Sequence, residues 1–219
     1  LESLAEFAAG AGHEINNPLA TIIGRTEQLL RDETDPERRR ALTTIGGQAL
    51  RVRDMIGDLM LFARPPAPIP ESVNLGDAVE TVVAELRGRI DDANARLEIA
   101  GDRSATLFAD PGQLRIVIGE ILRNSLHALP EEMGEITIGL GLSTDDGATS
   151  GLTIADNGCG LTEADRRHLF DPFYSGRQAG RGLGFGLCKC WRIVSNHGGL
   201  IEVESGKGRT TFRVCWPAC

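Results

Sequence analysis

A histidine with a carboxylate beside it lies near the start of the chain, in residues 12–19 (GHEINNPL). A neutral imidazole nitrogen is a good nucleophile toward phosphorus near pH 7, and a neighbouring carboxylate can accept a hydrogen bond from the other ring nitrogen. The helical apolar pattern turns His13 toward solvent, and Asn17 shares its face. Pro18 costs a helix about 3 kcal/mol, so stability alone does not explain the segment. For an isolated His-Glu pair, an ordinary surface histidine would be the better interpretation.

A carboxylate and an amide lie four residues apart in the second half of the chain, at Glu120 and Asn124. On a helix this spacing places both side chains on one face. Their oxygens are the hard ligands that Mg²⁺ prefers. Alone, the pair is a weak signal, because exposed Glu and Asn occur often at this spacing.

Residues 156–160 (DNGCG) follow an apolar strand. The carboxylate of Asp156 at a strand end can accept a hydrogen bond from an exocyclic amine, and Gly158 and Gly160 let the backbone approach a ring closely. An ordinary Asn-Gly turn is the alternative interpretation.

Alternating glycines open a predicted helix in residues 180–186 (GRGLGFG). Their amides and the positive helix end form an anion site that suits phosphates. The dinucleotide-binding interpretation fails, because that motif belongs early in a parallel βαβ unit and this one follows a long loop near the C-terminus. Residues 170–173 (FDPF) anchor one end of the loop.

Two long helices are expected to carry the histidine. Residues 2–31 have a helical apolar period, and Asp35 with Pro36 marks the start of a second helix. The second helix has a coiled-coil seam, formed by Leu42, Ile45, Ala49, Val52, Ile56, Leu59 and Ala63. A single hairpin leaves an apolar stripe uncovered, which predicts dimerisation into a four-helix bundle. Packing against another domain is the alternative.

Prolines at positions 65, 66, 68 and 70 end the helical region and predict an extended linker. We therefore expect a helical hairpin at 1–64, a linker at 65–73 and a second domain at 74–219. Helices are predicted at 75–90, 111–129 and 185–196. Strands are predicted at 96–100, 105–109, 136–143, 151–155, 200–204 and 210–214. This pattern predicts an α/β two-layer sandwich, with helices on one face of a mixed sheet.

Composition excludes several classes of function. The net charge of −8 argues against a nucleic-acid-binding face. No stretch approaches the ~20 apolar residues of a membrane span, so we expect this segment to be cytoplasmic and without membrane contact. The five cysteines lack metal-ligand spacing and are expected to be reduced. The chain begins with Leu1 rather than Met, which predicts that it is a piece of a longer protein.

Taken together and in this order, the motifs resemble those of two-component sensor histidine kinases over nearly the whole chain. Residues 13–19 resemble the histidine box of the nitrogen-regulator type, and residues 120–124 resemble the asparagine box. Residues 156–160 and 180–186 resemble the two glycine boxes, and residues 170–173 the phenylalanine box. Five ordered motifs are highly specific, whereas any single one is not.

The resemblance implies a dimerisation and phosphotransfer hairpin followed by a Bergerat-type ATP-binding domain, as in gyrase, Hsp90 and MutL. It implies that ATP and Mg²⁺ bind, with Asp156 at the adenine amine and Asn124 on Mg²⁺. The full set of residues expected at the nucleotide is Glu120, Asn124, Asp156, Gly158, Gly160, Phe173, Arg177, Gly182, Leu183, Gly184, Gly186 and Thr210.

The resemblance also implies autophosphorylation of His13, with Glu14 as the base. The phosphoryl group would then pass to an aspartate on a response-regulator receiver domain. Asn17 would position water if the chain also dephosphorylates that regulator.

Three departures from the family pattern matter. The family usually has Asn where Glu120 stands, and a glutamate there either activates water, as in the ATPase relatives, or ligates Mg²⁺. Arg177 stands near the position of a common lysine and would take over its phosphate contact. Residues 206–212 resemble the last glycine segment of the family, but the spacing from Gly to Phe differs by one residue. The role of Thr210 near adenine is therefore less firmly implied than the other roles.

Two rival functions follow from these departures. One is an ATPase that drives conformational change, which would release phosphate whether or not His13 is present. The other is a scaffold that binds nucleotide and docks a receiver without forming phosphohistidine.

Overall fold

The computed structural model describes residues 2–63, 65–141, 149–174, 184–206 and 208–217. For residues 2–11, 13, 63, 149 and 150 it describes the backbone alone. The chain divides into two compact units, Leu1–Pro66 and Ala67–Cys219. Within the described residues, no helix is both long enough and apolar enough to span a bilayer.

The first unit is a hairpin of two long helices, α1 (Glu2–Asp32) and α2 (Pro36–Ala63). The second helix begins where the sequence predicts, because the Asp35 carboxylate accepts a hydrogen bond from the backbone N–H of Arg38 at 2.8 Å. Glycine contacts near both ends show that the helices are antiparallel. Gly12 lies against the side chain of Met60, and Gly46 lies against Thr26.

Some apolar side chains of the hairpin stay exposed although others are buried. Leu19 and Ala49 are buried between the helices. On each helix two exposed apolar positions lie seven residues apart, Ile22 and Leu29 on α1 and Ile45 and Val52 on α2, and Leu50 is exposed as well. A seven-residue repeat of exposed apolar side chains is the pattern of a coiled-coil seam. Of the seam residues predicted from the sequence, Ile45 and Val52 are therefore exposed, whereas Ala49 is buried and Leu42, Ile56 and Leu59 are half-buried.

The second unit is an α/β domain, as the sequence predicts. Its elements in chain order are β1 (Glu71–Asn74), α3 (Leu75–Glu85), α4 (Arg87–Asp92), β2 (Arg96–Gly101), β3 (Thr106–Ala109), α5 (Pro111–Ala128), β4 (Glu135–Leu140), β5 (Thr149–Asp156), α6 (Glu163–His168), α7 (Gly186–Asn196), β6 (Leu200–Gly206) and β7 (Arg209–Pro217).

Five strands form a mixed sheet in the order β2-β4-β5-β7-β6. Strand β2 runs parallel to β4, and every other neighbouring pair is antiparallel. Alternation along β4 buries Ile136, Ile138 and Leu140 and exposes Glu135 and Thr137. Helix α5 contacts β5, and α7 contacts β6 and β7. The helices and the sheet therefore form two layers around one core.

The core of this domain is continuous between the helices and the sheet. Its largest fully buried side chains are Trp216, Leu75, Leu114, Ile118, Ile121, Leu122, Ile136, Ile138, Leu152, Ile154, Ile193 and Val79. Both α5 and β5 contribute several of these residues, so the core fixes the position of α5 against the end of β5. This matters for the site, because the candidate nucleotide residues lie on these two elements.

Three local elements differ from the sequence predictions. The helix predicted at 75–90 is two helices, which meet at Leu86, where φ is −96° and ψ is 4°. Strand β1 pairs antiparallel with β3 in a separate two-stranded sheet and was not predicted. The short helix α6 was also missed, although a capping box formed by Thr162 and Asp165 stabilises its start.

Asp110 caps α5 and connects it to two other segments. One carboxylate oxygen accepts a hydrogen bond from the backbone N–H of Gln113 at 2.9 Å, and the other accepts one from Ile69 at 3.0 Å. The backbone N–H of Asp110 donates to Nε2 of His197 at 3.1 Å. The hydrogen bonds from Gln113 and Ile69 hold the pKa of the Asp110 carboxyl below its ordinary value.

We expect Asp110→Ala to lower the free energy of unfolding by about 1–2 kcal/mol, measured by denaturant unfolding at pH 7. Asp110→Asn is the matched control, since its amide oxygen can still accept from Gln113. Because the pKa is depressed in the folded chain, the carboxylate's contribution is complete above its ordinary pKa and is lost as the pH falls through the lower folded value. Equal stability of Asp110→Ala and the parent chain at pH 7 would contradict the prediction.

Candidate functional site

The segment around His13 lies in the first half of α1. The side chain of His13 is outside the described part of the chain, so the prediction that it faces solvent stays a prediction. Glu14 and Asn17 are both exposed, and the backbone carbonyl of Asn17 accepts a hydrogen bond from the Thr21 hydroxyl at 3.2 Å. Pro18 lies inside the helix, where it removes a main-chain donor.

Helix α5 and the start of α7 bring three of the predicted site residues together. Glu120 and Asn124 lie on α5, and Gly186 is the first residue of α7. A Cβ on Gly186 would lie 2.8 Å from Oε2 of Glu120 and 3.9 Å from Nδ2 of Asn124. The carboxylate and the amide therefore face the N-terminal end of α7, where backbone N–H groups and the helix dipole favour an anion.

Two cations contact the Glu120 carboxylate on the same oxygen. Oε1 of Glu120 accepts from the Lys189 ammonium at 2.9 Å and lies 3.0 Å from the Arg123 guanidinium. Burial raises the pKa of the Glu120 carboxyl, but the charges of Lys189 and Arg123 and their hydrogen bonds outweigh burial, so the pKa lies below its ordinary value. Glu120 is therefore ionised at neutral pH.

Among the described residues, no group of three or more His, Cys, Asp or Glu side chains is arranged to hold a metal ion. Glu120 and Asn124 nevertheless offer a carboxylate and an amide, which are hard oxygen donors of the kind that suits Mg²⁺. Mg²⁺ is usually held by one or two protein groups together with phosphates of the substrate. The residues present therefore fit a shared ion rather than a complete protein cage.

Asp156 lies at the end of β5 with only 4% of its surface exposed. One carboxylate oxygen accepts from the Ser125 hydroxyl at 2.9 Å, and the other accepts from the backbone N–H of Gly158 at 3.0 Å. Burial raises the pKa of the Asp156 carboxyl, and the two hydrogen bonds offset this only in part, so the pKa lies above its ordinary value. Ser125 follows Asn124 on α5, so this helix connects Asp156 with the group around Gly186.

Close backbone contacts surround Asp156. Gly158 lies against the carbonyl of Ala128, where a Cβ would be 2.5 Å from the oxygen. Gly160 has φ of +77° and its Cβ position is taken by the carbonyl of Gly206. Thr210 pairs with Asp156 in the sheet register and is buried. The structure therefore places the predicted residues Gly158, Gly160 and Thr210 around the end of β5.

The two ends of the glycine-rich segment meet. The rings of Phe173 and Phe185 are 4.7 Å apart, edge to face. Gly184 has φ of +71°, and a Cβ there would overlap the carbonyl of Tyr174. The Tyr174 hydroxyl donates to Asp165 on α6 at 2.8 Å.

The residues between these ends include three of the predicted nucleotide residues. Arg177, Gly182 and Leu183 lie outside the described part of the chain. The described residues therefore place the start and the end of the segment, and the roles of these three residues stay predictions.

We expect Gly184→Ala to weaken nucleotide binding, whereas Gly208→Ala should not. Both glycines have positive φ, +71° and +78°, so both alanines carry strain on the order of 1 kcal/mol. Nothing lies within 4 Å of a Cβ at Gly208, whereas the alanine at Gly184 must displace the backbone of Tyr174. The affinity for a fluorescent nucleotide should fall about tenfold in Gly184→Ala alone, the equivalent of about 1.4 kcal/mol. If both variants lose the same nucleotide affinity, the loss comes from φ strain rather than from the contact with Tyr174.

Sequence reasoning missed two side chains of this region. Ser125 gave a weak signal, because it follows Asn124 directly on α5. Lys189 gave a clearer one, since it is a charged residue between Cys188 and Cys190, both of which are buried. A lysine in a buried run requires a partner, but the sequence did not indicate that the partner is 69 positions earlier.

Two protein-family models match the chain. Residues 109–219, about half of the chain, match the family described as histidine kinase-, DNA gyrase B- and HSP90-like ATPases. Residues 3–68 match the phosphoacceptor domain described as His Kinase A. The first match contains the elements around Glu120, Asp156 and Gly186, and the second contains His13.

Curated relatives include Sporulation kinase E of Bacillus subtilis (strain 168), 27% identical over 99% of this chain and 29% of the relative. The Sensory histidine kinase/phosphatase NtrB of Salmonella typhimurium (strain LT2) is 33% identical over 97% of this chain and 62% of the relative. The chain thus spans less than two thirds of the length of these relatives.

Solved structures share the fold. The structure of full-length ShkA in complex with AMPPNP matches 97% of this chain and 46% of the ShkA chain, with a TM-score of 0.84 and 23% identity. The structure of histidine kinase ThkA in complex with response regulator protein TrrA matches 98% of this chain and 61% of the other chain, with a TM-score of 0.68 and 21% identity.

Proposed function

We propose a reaction for this chain from the premise that it belongs to the family of histidine kinase-, DNA gyrase B- and HSP90-like ATPases and carries a histidine kinase phosphoacceptor domain before the ATPase domain. This pair of domains makes it the catalytic core of a two-component sensor histidine kinase. The proposed reaction is ATP-dependent phosphorylation of His13, followed by transfer of the phosphoryl group to an aspartate of a response regulator. We infer that this segment works in the cytoplasm, where ATP and such regulators are present.

The adenine end of the nucleotide would bind at Asp156. Its carboxylate oxygens can accept a hydrogen bond from the adenine amine while they keep their bonds to Ser125 and Gly158. Gly158 and Gly160 let the backbone around Asp156 pack closely against the carbonyls of Ala128 and Gly206, and this close packing would shape the site for the ring. Thr210 lies next to Asp156 across the sheet and would contact the same end of the nucleotide.

The phosphate end would bind at the start of α7. Backbone amides from Gly182 to Gly186 and the positive end of α7 attract phosphate oxygens. Leu183 and Phe173 would cover the nucleotide, and Arg177 would contact a phosphate. Glu120 and Asn124 would hold Mg²⁺, which neutralises charge that develops on the phosphates during transfer.

The reacting atoms belong to His13 and the nucleotide. A ring nitrogen of His13 bonds to the γ-phosphorus as the bond to the bridging oxygen of the leaving ADP breaks. Glu14 accepts a hydrogen bond from the other ring nitrogen and stabilises the positive charge that develops on the ring. Catalysis of this kind is mostly positioning, so the reaction needs His13 to reach the γ-phosphate rather than an unusual side chain.

The partner would be the receiver domain of a response regulator. The proposed order of events matches the chemistry, because a phosphohistidine can pass its phosphoryl group to an aspartate. NtrB is described as a kinase/phosphatase. By analogy, Asn17 on the exposed face of α1 would position water when this chain removes the phosphoryl group from its regulator.

The hairpin would form a homodimer. The exposed residues Ile22 and Leu29 on α1 and Ile45 and Val52 on α2 form apolar seams that a second hairpin would cover. Covering them in a four-helix bundle removes this apolar surface from water.

The observation that carries the proposed function is that Glu120, Asn124 and Gly186 face one another although the motifs that contain them are about sixty residues apart. The test is to incubate the chain with γ-labelled ATP and Mg²⁺ and to follow the label on the protein. A phosphohistidine label is lost in acid and retained in base. A chain that binds ATP but acquires no such label would be the scaffold of the rival interpretation.

A further inference from the structure

The Glu120 carboxylate is held by two helices. Lys189, on α7, donates to Oε1 at 2.9 Å, and Arg123, one turn along α5, lies 3.0 Å from the same oxygen. The side chain of Lys189 is only 5% exposed, whereas that of Arg123 is 33% exposed. Lys189 is therefore the more desolvated partner, and water screens its attraction to Glu120 less than that of Arg123.

Fold stability does not explain why a lysine occupies this position. A buried ion pair loses most of its Coulombic gain to desolvation, and apolar residues of similar volume are often equally stable or more stable. Lys189 lies between two buried residues, Cys188 and Cys190. An apolar residue at position 189 would therefore also fit the core. The pair therefore points to a role in the nucleotide site.

The position of the second carboxylate oxygen indicates what that role is. Oε2 of Glu120 faces Gly186 at the start of α7, which is where the proposed function places the phosphates. A carboxylate at this place is suited to hydrolysis. Water would bond to the γ-phosphorus, the bond to the bridging oxygen would break, the carboxylate would take one water proton, and ADP and phosphate would leave.

We propose that Lys189 is a positioning residue that holds Glu120 away from water activation, so that the γ-phosphoryl group goes to His13 rather than to water. The ammonium holds Oε1, so this oxygen is not available to a water molecule. Oε2, which faces Gly186, is then the oxygen left for the Mg²⁺ that the proposed function assigns to Glu120, and neither oxygen is available to take a proton from an attacking water. This inference rests on the proposed function, because it assumes that ATP binds with its phosphates at α7.

The test uses a His13→Gln chain, in which water is the remaining acceptor, and measures phosphate release at saturating ATP and Mg²⁺. Adding Lys189→Met should raise the release rate at least about tenfold, the lower part of the range for a general base. Adding Glu120→Gln to that variant should return the rate to that of the His13→Gln chain, because glutamine keeps an oxygen for Mg²⁺ but cannot take a proton. The affinity of the Lys189→Met variant for a non-hydrolysable ATP analogue, measured in parallel, should change much less than its rate of release.

An unchanged rate in a Lys189→Met variant that still binds the analogue would overturn the inference. If that variant does not fold, Lys189→Gln in the His13→Gln chain replaces it. Phosphate release should then rise in the same way, and an unchanged rate in a Lys189→Gln variant that still binds the analogue would overturn the inference. Labelling of the chain that retains His13 tests the proposed function separately, so the two ideas can fail independently.

Discussion

A His13→Gln chain should acquire no acid-labile label from γ-labelled ATP, a loss of at least roughly a thousandfold relative to the parent chain. Glutamine has no nitrogen that can attack phosphorus, because its amide nitrogen is not basic, so the covalent step is removed rather than slowed. The residues proposed to bind the nucleotide all lie in the second unit. Affinity for ATP should therefore be unchanged, which separates loss of the acceptor from loss of the substrate.

His168→Gln is the matched control for this substitution. His168 is exposed on α6 and its Nδ1 lies 2.7 Å from Oδ2 of Asp171, so replacing it changes a surface hydrogen bond and leaves the proposed acceptor intact. The control chain should acquire as much acid-labile label as the parent chain. Retention of the label in His13→Gln, at the level of the parent, would mean that another residue is the acceptor.

Long amphipathic elements could be predicted from the sequence because their period repeats over many residues. Helices α1 and α2 begin and end within a residue or two of the predicted positions, and Asp35 and Asp110 both act as the N-caps expected of them. Short elements contain too few residues to show such a period. Strand β1 has four residues, none of them buried, and forms because β3 lies beside it.

Breaks and long-range pairs were equally hard to predict. The sequence marks the break at Leu86 only weakly, since Leu86 itself is buried and the nearest glycine, Gly88, lies two residues later, inside α4. The parallel pairing of β2 with β4 depends on tertiary packing rather than on a local pattern. Among the candidate site residues, the motifs predicted that Glu120 and Asn124 would share a face, whereas the partner of Glu120 on α7 was visible only in the fold.

Asp156 shows how the fold changes the chemistry of a carboxylate that the sequence alone identifies. Asp102 accepts hydrogen bonds from the same kinds of donor as Asp156, the backbone N–H two residues on and a serine hydroxyl, here both from Ser104. The Ser104 hydroxyl and backbone hydrogen bonds lower the pKa of the exposed Asp102 carboxyl. At Asp156 burial dominates and raises the pKa. The cost of burying this charge suggests that Asp156 is retained for binding rather than for stability.

We expect Asp156→Asn to weaken ATP binding by roughly 10- to 100-fold, the equivalent of losing one charge-assisted hydrogen bond of about 1.5–3 kcal/mol. The folded pKa of Asp156 is raised, so its contribution to stability is complete below its ordinary pKa and is lost as the pH rises through the folded value. Burial disfavours the ionised form of Asp156, and the asparagine amide carries no charge to bury. The nucleotide-free variant should therefore be at least as stable as the parent.

Asp102→Asn is the control for both the affinity and the stability of Asp156→Asn. It also replaces a carboxylate by an amide, and the donors around it are likewise a backbone N–H and a serine hydroxyl. Asp102 follows β2 at the opposite end of the sheet from Asp156, since β2 runs parallel to β4 and β4 runs antiparallel to β5. Its replacement should leave ATP affinity unchanged and should not raise stability, because its pKa is lowered in the folded chain. Isothermal titration with ATP and thermal unfolding at pH 7 measure both quantities. If Asp156→Asn keeps full affinity, or loses stability as Asp102→Asn does, the buried carboxylate is a structural group and adenine binds elsewhere.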